Sequence, residues 1–280
     1  MQELTGKTAV ITGAASGIGL AMAHRFGAEG MQLMLADIEA GPLAEAESAL
    51  GAAGYEAASM EFDVRDLEQV KALEAASRER FGKVHLLCNN AGVGAGGEVA
   101  GLDDLEQWKW TLDINLYGVI YGCKTFLPAM IEHGESAHIV NTASMAGLVS
   151  GPYMGAYNIS KYGVVALSET LAREMQIADT AVGVSVLCPA FVQTGIGESD
   201  RNMPQELKRE PTNDGKTMRD MVNSLIAGGL ETTVVADAVA DAVIGNNFWI
   251  LTHPETKQAV TARATGIVDG INPQVGVMPA

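Results

Sequence analysis

The sequence is poor in cysteine, in aromatic residues and in positive charge, and the shortages of cysteine and positive charge exclude whole classes of protein. There are three cysteines, Cys88, Cys123 and Cys188. Their odd number and their scatter through apolar segments, at neither metal nor redox spacing, argue against a disulfide framework and for buried, reduced thiols. The histidines, His24, His85, His133, His138 and His253, form no H-x-x-x-H pair and have no cysteine at zinc spacing, so no metal is expected. Lysine and arginine total 18 against 34 aspartates and glutamates, a formal charge of −16. That sign repels phosphate backbones and anionic lipid heads, so no nucleic acid and no membrane surface is expected as a partner. The sequence has no apolar run of the roughly 18 residues a membrane span needs. The start, Met1 to Lys7, has no apolar h-region and no small-residue cleavage site. A cytoplasmic protein is expected.

Apolar residues are abundant. Hydrophobic residues make up 48% of the 280 and charged residues 19%, a balance that fits a packed globular chain. At about 150 residues per domain the length allows one large domain or two small ones. Short apolar runs at Lys7 to Thr12, Met31 to Ala36, Glu56 to Phe62, His85 to Cys88, His138 to Thr142, Val182 to Leu187 and Phe248 to Leu251 predict strands. Helical patterns fall between them: Gly17 to Glu29, Leu43 to Ala53, the stretch capped by Asp66, and Val235 to Ile244. Strands that alternate with long helices make βαβ units, so the fold is α/β, a doubly wound and mostly parallel sheet with helices on both faces. No linker or repeat divides it, so a single domain is expected. Only Gly195 to Leu230 breaks the rhythm. It is polar, carries Pro204 and Pro211, and reads as a lid or pocket wall.

The turn Thr12-Gly13-Ala14-Ala15-Ser16-Gly17-Ile18-Gly19 joins the first strand to the first helix. Glycines there let the backbone approach a pyrophosphate, and the helix N-terminus offers unpaired N–H donors. A tight turn with no ligand would use the same residues, but the strand–turn–helix context favours a dinucleotide site. A second cluster, Gly92, Gly94, Gly96 and Gly97, also follows a strand but opens no clear helix, and reads as a connection. Asp37 ends the second strand. A carboxylate there accepts hydrogen bonds from the adenosine ribose and repels a 2′-phosphate; a helix cap is the lesser alternative. With no Lys or Arg from Ala14 to Ile18 or from Ala36 to Gly41, a 2′-phosphate lacks a partner. NAD is expected over NADP.

Tyr157 and Lys161 are four residues apart on a helix predicted to run to about Ile177, so they share a face. Tyrosine titrates near 10, and bringing it to about 7 takes roughly 4 kcal/mol, part of which a neighbouring ammonium can supply. Alone, the pair fits an ordinary amphipathic helix. Ser144 lies just past a strand, at the carboxyl end where such sheets bind ligands, and Asn115 lies in an upstream helical segment.

Together these residues resemble the short-chain dehydrogenase/reductase family. The matching positions are the Thr-Gly-x3-Gly-x-Gly turn (Thr12 to Gly19), Asp63, Asn89-Asn90-Ala91-Gly92, Asn115, Ser144, Tyr157 with Lys161, and Pro189 with Thr194. The likeness is strong over about residues 5 to 195. It implies a Rossmann-type seven-stranded sheet, with 5–142 mainly cofactor-binding, 143–194 catalytic, 195–230 a substrate lid, and 231–280 the last helix, strand and tail. It implies that Tyr157 is the general acid/base, Ser144 the stabiliser of the substrate oxygen, Lys161 the residue that lowers the tyrosine pKa and binds ribose, and Asn115 a proton relay through water. Cofactor contacts are implied for Gly13, Ser16, Gly17, Ile18, Gly19, Asp37, Ile38, Asp63, Val64, Asn90, Ala91, Gly92, Tyr157, Lys161, Pro189, Phe191, Val192 and Thr194. Ala190 departs from the glycine that many relatives carry after the proline.

The implied reaction is hydride transfer between a secondary alcohol or ketone and NAD(H). Met145, Tyr153, Met154 and Phe191 are candidate pocket residues, joined by Met203, Met218 and Met221 from the lid, and they suggest an apolar or aromatic substrate. The segment Trp249 to Glu255 is similar to a tail in family members that oxidise bulky aryl carbinols. Asn158-Ile159-Ser160 fits a glycosylation pattern, but a catalytic helix is the wrong place for it. Competing readings are a non-catalytic dinucleotide sensor, an NADP-dependent carbonyl reductase, and a sugar-nucleotide epimerase or dehydratase. The resemblance also implies a homodimer or homotetramer.

Overall fold

The computed structural model describes residues 1–94, 98–100, 102, 104–208 and 213–274. Gly96 and Gly97 of the second glycine cluster, and the side chain of Met218, lie outside the described residues. Seven strands form one sheet in the order β3-β2-β1-β4-β5-β6-β7. They are β1 (Thr8–Thr12), β2 (Gln32–Asp37), β3 (Ala57–Glu61), β4 (Leu86–Asn89), β5 (Ala137–Thr142), β6 (Val182–Leu187) and β7 (Trp249–Ile250). Every pairing among them is parallel.

Side chains alternate across each strand, and this sorts the core into two layers. Ala9, Ile11, Leu33, Leu35 and Leu86 pack on one face, against α1 (Gly17–Ala28), α2 (Ala40–Ala52) and α8 (Thr232–Gly245). Val10, Met34, Leu87 and Ile139 face the other way, against α3 (Leu67–Phe81), α5 (Gly118–Glu132) and α6 (Gly155–Ile177). The chain also forms α4 (Leu105–Leu112), α7 (Asn213–Ala227) and α9 (Pro254–Val268).

The seven expected strands and the main helices are present. Asp66 caps α3, its carboxylate accepting from the backbone N–H of Glu68 at 2.9 Å and of Gln69 at 3.4 Å. Three details differ from the sequence expectation. The second helix begins at Ala40, a turn before Leu43. The 195–230 segment holds a helix of its own, α7. The tail after Leu251 contains a helix, α9, over Pro254–Val268.

Sheet order reverses between β1 and β4, because the chain crosses from β3 at one edge to β4 beside β1. Ligands of open parallel sheets bind at the carboxyl ends beside that switch point. The glycine turn after β1, Asn90 after β4 and Ser144 after β5 all open onto it.

Candidate active site

A cleft of about 920 Å³ runs along the carboxyl edge of the sheet. At one end lies the glycine turn. Gly13 and Gly17 hold φ of +66° and +57°, a region that side chains disfavour. A Cβ on Gly13 would sit 2.8 Å from the Ala91 Cα, and one on Gly19 would overlap the Gly13 carbonyl oxygen. The turn is anchored from beneath. The Asn90 amide donates to the Thr12 carbonyl at 3.0 Å, and the backbone N–H groups of Asn90 and Ala91 donate to the Thr12 hydroxyl at 2.9 and 3.0 Å. Ser16 is the N-cap of α1, but its side chain makes no capping bond, which leaves the helix N-terminus open to an anion.

Asp37 is buried beside this turn. One carboxylate oxygen accepts from the Ala15 N–H at 3.0 Å and the other from the Glu39 N–H at 3.1 Å. Each oxygen keeps acceptor capacity for a sugar hydroxyl. Asp63 pairs with Arg65, whose guanidinium donates to it at 2.5 and 3.0 Å. Burial pushes the Asp63 carboxyl up, but the Arg65 hydrogen bonds and charge outweigh this and hold it below the usual range. The sequence suggested that a 2′-phosphate would meet no cation at this end, and the structure corrects that. Arg201, from the 195–230 segment, lines the same cleft and pairs with Glu39.

At the other end, α6 presents Tyr157 and Lys161 side by side, with the ammonium 5.6 Å from the tyrosine ring. Both are buried. Lys161 Nζ donates to the Thr142 carbonyl at 3.0 Å, and burial lowers its pKa to about 8. Burial pushes the Tyr157 phenol up, and a hydrogen bond with Ser144 pulls it partly back. Burial outweighs that pull, so the phenol of the empty protein stays above the ordinary tyrosine range. Ser144 joins the ends of β5 and β6, its hydroxyl donating to the Pro189 carbonyl at 3.3 Å and accepting from the Ala146 N–H at 3.1 Å.

Asn115 sits in a π turn over Asp113–Tyr117 between α4 and α5, a local widening that aims its side chain inward. Its amide oxygen accepts from the Val93 N–H at 2.8 Å, and its NH2 donates to the Val93 carbonyl at 2.9 Å and to Ser160 Oγ at 3.3 Å. The position of an absent Cβ on Gly92 lies 3.3 Å from Asn115 Oδ1 and 3.5 Å from Lys161 Nζ. Glycine there leaves a small polar gap between the two side chains.

The predicted residues converge. Gly13, Ser16, Gly17, Ile18, Asp37, Ile38, Asp63, Val64, Asn90, Ala91, Gly92, Ser144, Met145, Tyr153, Met154, Tyr157, Lys161, Pro189, Phe191, Val192 and Thr194 all line the cleft. Gly19 and Asn115 are not in its wall; Gly19 shapes the turn, and Asn115 lies behind the wall, fully buried. Met203 lines the cleft, but Met221 is not in the wall and is 49% exposed.

Sequence reasoning missed the Trp108 and Val149 parts of the cleft wall, whereas Val222 and Ile226 belong to the 195–230 segment expected to form it. It also missed His253, which was read only as part of the tail. His253 is buried, with Nδ1 accepting from the Ala190 N–H at 3.2 Å and Nε2 donating to the Phe191 carbonyl at 3.0 Å. Both ring nitrogens thus hold the strip after Pro189.

The turn, the buried tyrosine–lysine pair and the serine between β5 and β6 form one cleft, and the comparisons with known proteins agree with it. The short chain dehydrogenase family profile matches residues 7–205. The chain belongs to the short-chain dehydrogenase family. A CLA biosynthesis dehydrogenase/reductase of Lactiplantibacillus plantarum is 32% identical over 99% of both chains. A C alpha-dehydrogenase of Sphingobium is 30% identical over 98% of this chain and 89% of its own. The crystal structure of a short-chain dehydrogenase/reductase from Burkholderia phymatum in complex with NAD is 44% identical, covers both chains fully and superposes with a TM-score of 0.95. The protein is thus an oxidoreductase of the short-chain dehydrogenase family, with a Rossmann-type sheet.

Proposed function

We propose that this short-chain dehydrogenase interconverts a secondary alcohol and a ketone with NAD(H), acting on an apolar or aromatic substrate. The observation that carries the reading is that Tyr157, flanked by Lys161, lines with Ser144 the cleft that the glycine turn opens, at the carboxyl ends of β5 and β6. The turn fits a dinucleotide, because side chains at Gly13 and Gly19 would fill the space in which backbone and ligand meet. Gly13, Ser16, Gly17 and Ile18 would hold the pyrophosphate, Asp37 the adenosine ribose, Asp63 and Val64 the adenine, and Pro189 to Thr194 the nicotinamide amide. The group supplies a hydride acceptor or donor.

The chain's own residues manage the proton. In alcohol oxidation, Ser144 hydrogen-bonds the substrate oxygen and Tyr157 Oη takes the hydroxyl proton as the carbinol C–H bond breaks. Ketone reduction runs the same path backwards, with Tyr157 donating. Burial favours the neutral phenol, so positive charge at the nicotinamide end must favour the phenolate during oxidation. Lys161 binds ribose and passes the proton on, and the gap at Gly92 between Lys161 and Asn115 suits a relay through water.

NAD is preferred because Asp37, buried beside the glycine turn, would accept from the adenosine ribose hydroxyls and repel a 2′-phosphate. The apolar lining, with Trp108, Met145, Val149, Phe191 and Ile226, supports the substrate class. Both curated relatives carry dehydrogenase in their names, which agrees with the reaction type. Exposed Ile131, Ile159 and Ile177 on α5 and α6 support a homodimer or homotetramer built through those helices. A panel of secondary alcohols and ketones, assayed with both dinucleotides by nicotinamide absorbance, tests the reading. NAD-linked turnover of apolar members supports it. Turnover of nucleotide sugars alone, or none with any carbinol, refutes it.

A further inference from the structure

Two arginines reach the adenosine end of the cleft, and each is neutralised by its own carboxylate. Arg65 is held by Asp63 within its own loop. Arg201 comes from the other side of the cleft, in the short helical stretch Gly195–Asn202. Its Nε donates to Glu39 Oε1 at 3.0 Å and its second terminal nitrogen to Glu39 Oε2 at 2.9 Å, a two-point pair. The remaining terminal nitrogen is spent on the Gly195 and Glu198 carbonyls at 3.1 and 3.2 Å. Glu39 is two residues beyond Asp37, and its backbone N–H is held by the Asp37 carboxylate. The Asp37 charge also acts on Arg201 through space. The guanidinium therefore lies at the Asp37 end of the cleft, where the proposed reading puts the adenosine ribose, but its hydrogen-bonding edge is occupied.

We infer that Glu39 is a second determinant of cofactor choice, withholding Arg201 from a 2′-phosphate while Asp37 repels it. This rests on the proposed reading of Asp37 as the ribose-binding carboxylate. A guanidinium prefers to pair with phosphate or carboxylate in the same fork geometry, so the two anions compete for one cation. Removing only the Asp37 charge leaves Arg201 committed to Glu39. Removing both frees it.

Calorimetric titration of NAD and NADP, without substrate, tests this on the wild type, Asp37→Ser, Asp37→Ser with Glu39→Gln, and the latter with Arg201→Met. Adding Glu39→Gln to Asp37→Ser is expected to tighten NADP binding about tenfold. NAD affinity should stay within about twofold, as for a surface change. Adding Arg201→Met should erase the gain. No gain from Glu39→Gln, or an equal gain without Arg201, overturns the inference. Equal weakening of both dinucleotides when the pair is broken also overturns it, because the pair is then a latch on the lid. Glu39→Ala gives a second comparison if the glutamine still holds Arg201. A wild type that binds neither dinucleotide overturns the reading of Asp37 itself and this inference with it, whereas NAD binding with no Arg201-dependent gain overturns the inference alone.

Discussion

Lys161 should cost the empty protein stability in exchange for chemistry, and replacing it measures that cost. The side chain is 3% exposed, and burial brings its pKa from 10.5 down to about 8. At roughly 1.4 kcal/mol per pKa unit, carrying the charge at neutral pH costs about 3 kcal/mol. Lys161→Met removes that cost, but it also removes the hydrogen bond to the Thr142 carbonyl, a loss of about 1 kcal/mol. The net gain is about 2 kcal/mol, which in a chain of this size raises Tm by about 4 °C at pH 7. The pH dependence has a definite sign. Between about 8 and 10.5 the unfolded chain binds the Lys161 proton and the folded chain does not, so the wild type gains stability as pH rises through that window. The melting-temperature gap between variant and wild type should therefore be full below pH 8 and vanish or reverse by pH 10.5. Thermal denaturation followed by circular dichroism without cofactor reads it. A variant less stable at pH 7, or a gap that does not change with pH, refutes this account of Lys161. Turnover by the same variant should fall by about 10²-fold or more.

Other perturbations act on different parts of the cleft. Gly13→Ala forces a Cβ to 2.8 Å from the Ala91 Cα at a φ of +66°, so it should destabilise the fold by about 1–3 kcal/mol and weaken dinucleotide binding, as urea unfolding and calorimetry would show. His253→Phe leaves the Ala190 N–H and Phe191 carbonyl without their partner, so KM for the dinucleotide should rise more than kcat falls. His253→Gln, which can still donate and accept, should recover part of the loss, and equal KM values for both variants would contradict a positioning role.

Much of this architecture can be read from sequence because it is local. A β-branched run that meets a glycine turn and then a helix leaves few other arrangements, and Tyr157 and Lys161 share a face because of helix geometry alone. Features built by residues far apart in the chain are less legible. Arg201 meets Glu39 across 162 positions, and His253 meets Ala190 across 63, with no periodic pattern to announce either. The distance of Arg201 from Glu39 along the chain makes the adenosine end look free of cations. The π turn at Asn115 depends on how α4 and α5 join, which hydrophobic spacing does not record. Helix α9 was hidden because only Thr256 and Ala259 are buried on it, too few for an apolar stripe. Pro254 at its first turn and Glu255 beside it were the available signals. The burial of Tyr157 is illegible for another reason. Spacing shows which charge is near, but only packing shows how much water has been lost.

The central claim is that Tyr157 moves the proton while hydride passes to or from NAD. Tyr157→Phe removes one hydroxyl from a buried position and leaves the glycine turn and Asp37 untouched, so it tests the claim most directly. The variant and the wild type would be compared by calorimetric NAD titration and by turnover of the best secondary alcohol or ketone from the panel. The account predicts NAD affinity within about twofold of wild type and a fall in kcat of roughly 10²- to 10⁴-fold. Turnover close to wild type with NAD still bound would contradict it.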